Sequence, residues 1–148
     1  MSGGDDDRAE VTAVLDRYAE ALDQRRWELL EDVFAPEIEF DSGEWVVRGR
    51  PDVIAQVRSY LEGCGPTQHL LGNHRVTLEG DTARTRVYVR AFHACKDRSD
   101  PRTYEMGGEY ADQLQRTPSG WRSVRRSLRV LFELGTRDVL GMRPAPRG

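Results

Sequence analysis

The sequence predicts an α+β fold: a cone-shaped barrel in which a strongly curved antiparallel sheet packs on three N-terminal helices and encloses a pocket. Three observations point there. Helical periodicity is confined to the first sixty residues. Four long alternating runs follow, separated by turn sequences. Helices early and a strand meander late make an α+β layout, and a bent sheet with helices on one side leaves a hollow between them.

Taken in order, Met1 to Asp7 is rich in Gly and Asp with no apolar segment, and is expected to be a disordered tail rather than a leader peptide. From Asp6 to Leu22, Val11, Val14, Leu15, Tyr18 and Leu22 recur on one helical face. Gln24–Arg25–Arg26 makes a turn. Arg26 to Phe34 reads as a short second helix, stopped by Ala35–Pro36 because the residue before a proline disfavours the helical region. Glu37 to Asp41 alternates as a strand, Ser42–Gly43 turns it, and Glu44 to Val47 returns. Arg50 to Leu61 is a third helix, with Pro51 in its first turn and Val53, Ile54, Val57 and Leu61 inward.

The long strands are expected at Thr67–Leu78, Thr82–Cys95, Thr103–Gln115 and Trp121–Leu134. Glu79–Gly80–Asp81 and Thr117–Pro118–Ser119–Gly120 form hairpin turns between them. The residues from 135 to 148 read as a C-terminal tail, which leaves one domain over 8–134.

Strand parity assigns faces. Ala83, Val87, Val89, Ala91 and His93 share an inner side, as do Tyr104, Met106, Gly108, Tyr110 and Leu114. Val124, Arg126, Leu128, Val130 and Phe132 are expected inside on the last strand, with Trp121 outside. His93 and Arg126 are therefore polar groups on apolar faces, and Arg126 requires a carboxylate or a wet cavity. His69 becomes an inward candidate if Gly72 carries a bulge. His74 is read as surface or interface. Phe40, Trp45, Met106, Val124 and Leu128 provide an apolar lining suited to a small cyclic, mostly apolar ligand.

Composition narrows the function. Net charge is −3, against the basic surface that general nucleic-acid binding needs. Arg84, Arg86, Arg90, Arg125 and Arg129 on the outer sheet face are interleaved with Glu105 and Glu109. They read as cross-strand ion pairs and as the interface of a homodimer or homotrimer. No apolar run approaches the roughly 20 residues of a membrane helix, and the expected compartment is the cytoplasm. Cys64 and Cys95 lack ligand spacing and are expected to be reduced thiols, with no metal site.

Three segments carry a resemblance: A-L-D-x-R-x-W-x-x-L-x-x-V-F-A-P from Ala21, Q-H-L-L-G-N from Gln68, and G-G-E-Y-A-D-Q-L-Q-R-T-P-S-G-W-R from Gly107. In this order the chain resembles the SnoaL-like branch of the nuclear transport factor two-like superfamily, over roughly residues 11–132. It looks most like the scytalone dehydratase and bile-acid dehydratase group.

The resemblance implies a catalytic set of Tyr18, Asp23, His69 and His93. By the resemblance Arg126 is a substrate contact, and the lining adds Phe40, Trp45, Tyr104 and Met106; the chemistry requires no cofactor. Leu22 stands where the scytalone enzyme has a tyrosine, which separates this chain from that substrate. The implied activity is a dehydratase or isomerase acting through an enolate, with His69 or His93 as acid and base and Asp23 fixing the tautomer. Tyr18 would donate to the developing oxyanion, helped by Tyr104 or Arg126. A polyketide cyclase, an epoxide hydrolase or a non-catalytic binding module on the same scaffold are the alternatives.

Overall fold

The computed structural model describes residues 3–140. The elements run α1 (Gly3–Asp23), a 3-10 helix (Trp27–Asp32), β1 (Phe34–Asp41), β2 (Val46–Arg48), α2 (Arg50–Leu61), β3 (Thr67–Glu79), β4 (Thr82–Ala94), β5 (Thr103–Thr117), β6 (Gly120–Gly135) and a 3-10 turn (Arg137–Val139). The α+β expectation holds. The last four strands match their predicted spans to within about two residues at each end.

Several boundaries differ. Helix α1 begins at Gly3, so residues 3–7 are helical rather than a tail; Asp5 and Asp6 lie in its first turn, where the helix dipole favours acids. The second predicted helix is a six-residue 3-10 helix. Phe34 and Ala35 open β1, and Pro36 falls within its register shift against β6, where a missing N–H costs no ladder bond. Of the predicted C-terminal tail, Gly135 ends β6 and Arg137–Val139 forms a turn; residues 141–148 lie outside the described residues.

The strands form one open sheet in the order β2-β1-β6-β5-β4-β3. It is mixed rather than wholly antiparallel, because β1 lies parallel to β6. The chain reaches β1 from α1, on the helical side of the sheet, and so enters beside β6 without a hairpin to reverse it. Val11, Val14, Leu15, Tyr18 and Leu22 of α1 are buried, as are Val53, Val57 and Leu61 of α2. All but Leu15 belong to one core with the inner residues of β4 and β5.

Two bulges in β6 correct the predicted parity. Leu114 pairs with Ser123 and Gln113 with Arg125, so Val124 is an extra residue. Trp121 and Ser123 are therefore buried on the inner side, Val124 is not, and Arg126 resumes the inner face after it. Further along, Gly108 pairs with Val130 and Gly107 with Phe132, which makes Leu131 the second extra residue. Phe132 thereby turns outward. Its ring covers Gly107, where a Cβ would lie only 2.2 Å from it, and the Arg90 guanidinium sits 5.0 Å above the ring. The bulge expected at Gly72 is present: β3 shifts register between Gly72 and Arg75, and Asn73 takes φ 56°.

The outer face carries the expected ion pairs. Arg86 pairs with Glu109 at 2.9 Å, and Arg90 with Glu105 at 2.8 Å. The arginines there are matched with acids rather than gathered into a basic patch. No helix among the described residues is long and apolar enough to cross a membrane.

Candidate active site

The space between α1, α2 and the sheet is a cavity of about 120 Å³. Tyr18, Phe40, Trp45, His69, His93, Tyr104 and Met106 all line it, so the structure brings most of the predicted site residues together. Asp23 and Arg126 are not in the lining.

Asp23 is placed by the end of α1. Arg25, just beyond, adopts a left-handed backbone with φ 55°, unusual for a non-glycine residue. Its guanidinium accounts for this. It donates to the Leu22 carbonyl at 2.6 Å, to Thr67 Oγ1 at 2.9 Å and to the Gly65 carbonyl at 2.7 Å. The helix end is thereby tied to the start of β3. Asp23 then accepts from Thr67 Oγ1 at 3.0 Å, from the His69 backbone N–H at 2.8 Å and from His69 Nδ1 at 2.7 Å. Burial alone raises the Asp23 carboxyl, but the His69 ring, the His69 backbone and Thr67 together outweigh it and hold the group below its ordinary value.

His69 therefore donates through Nδ1, and its Nε2 makes no hydrogen bond among the described residues. The ring's side chain is 5 % exposed and faces the cavity. A neutral imidazole in this tautomer keeps its basic lone pair on Nε2.

His93 lies 5.7 Å from His69 between ring centroids, edge to face. Its Nδ1 donates to the Tyr104 carbonyl at 3.0 Å. Burial first, and then the neighbouring His69, lower its pKa to about 4, so at neutral pH it is uncharged.

Tyr18 packs edge-on against Phe34 and Tyr110. Burial first, then Tyr110, push its hydroxyl well above the usual phenol range, against the pull of Arg126. It stays protonated, with its hydroxyl turned toward that of Tyr110 as donor. Tyr104 is engaged by a charged group instead. Its hydroxyl already donates to Glu133 at 2.6 Å.

Arg126 does not reach the cavity. It is 0 % exposed, its Nε donates to both Asp112 oxygens at 3.0 Å, and its guanidinium lies 4.3 Å and 4.2 Å from the Tyr18 and Tyr110 ring centroids. Those two rings line the cavity and stand over the cation. The expected substrate contact is thus a core ion pair, because the bulge at Val124 aims Arg126 at Asp112.

The sequence reading missed several lining groups. Tyr60 accepts from Trp45 Nε1 at 2.6 Å; it lies seven residues after Val53, on the inward stripe of α2, and was findable. Arg137 binds Glu133 and Glu44, each at 2.6 Å, and lines the cavity with Glu44. It came from the predicted tail, and Glu133 was on the wrong side of the second bulge, so neither carried a local signal.

The SnoaL-like domain profile matches residues 6–127. The chain belongs to the SnoaL-like family. A protein of Mycobacterium tuberculosis is 37 % identical over 123 residues, 81 % of this chain and 82 % of its own length. Among solved structures, a proposed aromatic ring hydroxylase from Novosphingobium aromaticivorans superposes with TM-score 0.81 at 28 % identity, covering 90 % of this chain and 96 % of that one. A proposed scytalone dehydratase from the same species gives 0.75 at 19 % identity, with 86 % of each chain covered; at that identity it speaks for the fold alone. The SnoaL-like cone is thus a scaffold on which relatives carry names from different reaction classes, and for this member the reaction has to be argued from its own cavity.

Proposed function

We propose that this SnoaL-like protein is a lyase or isomerase that removes a proton from the carbon beside a carbonyl in a small cyclic, mostly apolar substrate. One observation carries the reading. His69 is held by Asp23 at 2.7 Å through Nδ1, while its other nitrogen is unpartnered on a ring that lines a cavity shared with Tyr18. A base needs this combination of an oriented ring, a carboxylate to favour the imidazolium, and an open lone pair.

In the proposed sequence His69 Nε2 takes the α-proton and becomes positive beside Asp23. The electron pair left on carbon delocalises to the carbonyl oxygen, which accepts from the Tyr18 hydroxyl once that hydroxyl turns from Tyr110. The Nε2–H then returns its proton. Given to a β-hydroxyl, it releases water and leaves an enone; given to another carbon, it shifts the double bond. Asp23 is a positioning residue throughout, since it does not line the cavity. That also counts against the epoxide hydrolase alternative, which needs an aspartate facing the substrate. His93, paired only with backbone, has the arrangement expected of a binding module; His69 does not.

The cavity volume is of the order of the roughly 150 Å³ apolar cavity that accepts one benzene ring. Its enclosed part suits a single six-membered ring better than a steroid-sized skeleton. The test is proton NMR in D₂O with cyclic β-hydroxy ketones and cyclic enones. Deuterium should enter the α-position, or water be lost, with the wild-type protein and far more slowly with His69→Ala. An absence of both across such a panel, with the ligands shown to bind, rejects the reading.

A further inference from the structure

The two histidines present their nitrogens to the cavity in unlike ways. The Tyr104 carbonyl can only accept, so His93 Nδ1, 3.0 Å away, carries the ring proton. His93 Nε2 is then a lone-pair acceptor. It makes no hydrogen bond among the described residues, and its ring lines the cavity. The nearby acids are already engaged: Glu44 of the lining by Arg137, and Glu133 by Tyr104 and Arg137. Tyr60 and Ser42 carry hydroxyls that both donate and accept. Two acceptors that carry no proton of their own are left at the inner wall, and only His69 has a carboxylate behind it to stabilise a gained proton. His93 has a carbonyl instead, which holds it in one tautomer without making it a base.

We infer that His93 is a fixed acceptor for a free hydroxyl on the substrate ring, so that the pocket selects hydroxylated single-ring compounds over hydrocarbon or ether analogues of the same size. A ring entering the cavity shuts His93 Nε2 off from solvent. A hydroxyl on the ring satisfies it, whereas a methyl or methoxy group leaves a buried acceptor unpaired, the kind of mismatch that gives the strongest discrimination between isosteric ligands. The inference rests on the acid/base reading only in leaving His69 to the reacting carbon. The hydroxyl contact itself is a binding property of His93.

Phenol and toluene are suitable probes, because they match in size and differ in the donor. Their binding ratio, measured by NMR titration, should shift toward toluene by roughly tenfold in His93→Phe relative to wild type. It should move clearly less in His69→Phe than in His93→Phe. A ratio unmoved by His93→Phe, or moved by His69→Phe instead, overturns the inference. Nitrogen-15 NMR of the wild-type imidazoles removes any dependence on variant folding. His93 should show a protonated Nδ1 and a bare Nε2 whose resonance moves when phenol is added. A protonated Nε2, or a resonance indifferent to phenol, equally overturns it. Neither measurement involves turnover. A protein that selects phenol through His93 but exchanges no α-proton keeps this inference and loses the proposed reaction; one that exchanges protons without the selection does the reverse.

Discussion

Two carboxylate–base pairs mark the cavity wall and the core behind it. Asp23 and His69 meet at 2.7 Å at the cavity wall; Asp112 and Arg126 meet at 3.0 Å in the core behind it. Both join a carboxylate to a nitrogen base. They differ in what the base has left over. His69 keeps an unpaired nitrogen facing open space. Arg126 has its two terminal nitrogens without a hydrogen-bond partner, but they lie between the rings of Tyr18 and Tyr110, which supply cation–π contact. Arginine also does not lose its proton in proteins. The first pair can exchange a proton with a ligand, while the second holds up the wall the ligand touches. Burial and charge alone do not separate these roles; an open valence on a cavity does.

The largest effect expected from this contrast is on rate. Asp23→Asn keeps the shape of the side chain but loses the charge that favours the His69 imidazolium, and His69→Ala removes the base. Each should slow α-proton exchange by about 10²–10⁴-fold, while leaving the thermal unfolding midpoint within a few degrees of wild type. Asp112→Asn should invert the pattern, with a clear loss of stability and no comparable loss of rate per folded molecule. Equal rate losses in Asp23→Asn and Asp112→Asn, at unchanged stability, would break the comparison.

The second effect is on stability. Arg126→Met leaves Asp112 buried with only Ser123 Oγ, at 2.7 Å, as a charge-stabilising donor. Removing one partner of a buried pair costs about 3–5 kcal/mol, measurable by urea unfolding. Replacing both, with Arg126→Met and Asp112→Leu, should recover most of that loss, since no uncompensated charge remains. A double variant less stable than Arg126→Met alone would mean that the pair contributes more than it costs to desolvate.

How much of this contrast the sequence carries depends on strand regularity. Tyr18 was legible from helical spacing and His93 from alternation, because α1 and β4 have no irregularity before those positions. His69 was legible only through its local Q-H-L-L-G segment, since the bulge after Gly72 uncouples its parity from the rest of β3. Arg126 was correctly placed inside, but its destination was not legible. The extra residue at Val124 sets which β5 side chain it meets, and a one-residue insertion leaves no trace in composition or period. Arg137 was invisible for a related reason: its contacts cross from beyond the end of β6 to Glu44 in the β1–β2 turn. Local pattern therefore recovered the fold and the half of the site that sits on regular elements. The groups placed by bulges and by the chain end needed coordinates.

His93 lies between the two cases, buried like Arg126 and facing the cavity like His69, and pH reads out its position. Its pKa falls to about 4 in the folded protein from 6.5. Between those values the unfolded chain binds the extra proton, so the stability due to neutral His93 is complete above about pH 6.5 and is lost as pH drops toward 4. The loss should be about 3 kcal/mol. Urea unfolding at pH 7, 5.5 and 4, compared with His93→Gln, isolates it from the carboxylates that titrate over the same range. If the wild-type and variant curves run parallel, His93 is not held neutral by its surroundings, and its likeness to the core pair disappears.

The smallest effect tests how the dyad is held. Thr67 Oγ1 accepts from Arg25 at 2.9 Å and donates to Asp23 at 3.0 Å, so it links the left-handed turn after α1 to the carboxylate. Thr67→Val removes that hydrogen bond at nearly constant volume. One neutral hydrogen bond contributes about 0.5–1.5 kcal/mol net, so exchange should slow by roughly 2–10-fold, far less than in Asp23→Asn. The pH profile distinguishes positioning from simple loss of structure. With one donor to Asp23 gone, the carboxyl loses part of what holds its pKa down. The acid limb of the rate should therefore move to higher pH in Thr67→Val, while the midpoint of thermal unfolding at pH 7 changes little. The core pair has no such linked donor chain to a cavity, and Ser123→Ala beside Asp112 should lower stability without moving the acid limb. A shift of that limb in Ser123→Ala equal to the one in Thr67→Val would show that the two pairs titrate as one system across Tyr18.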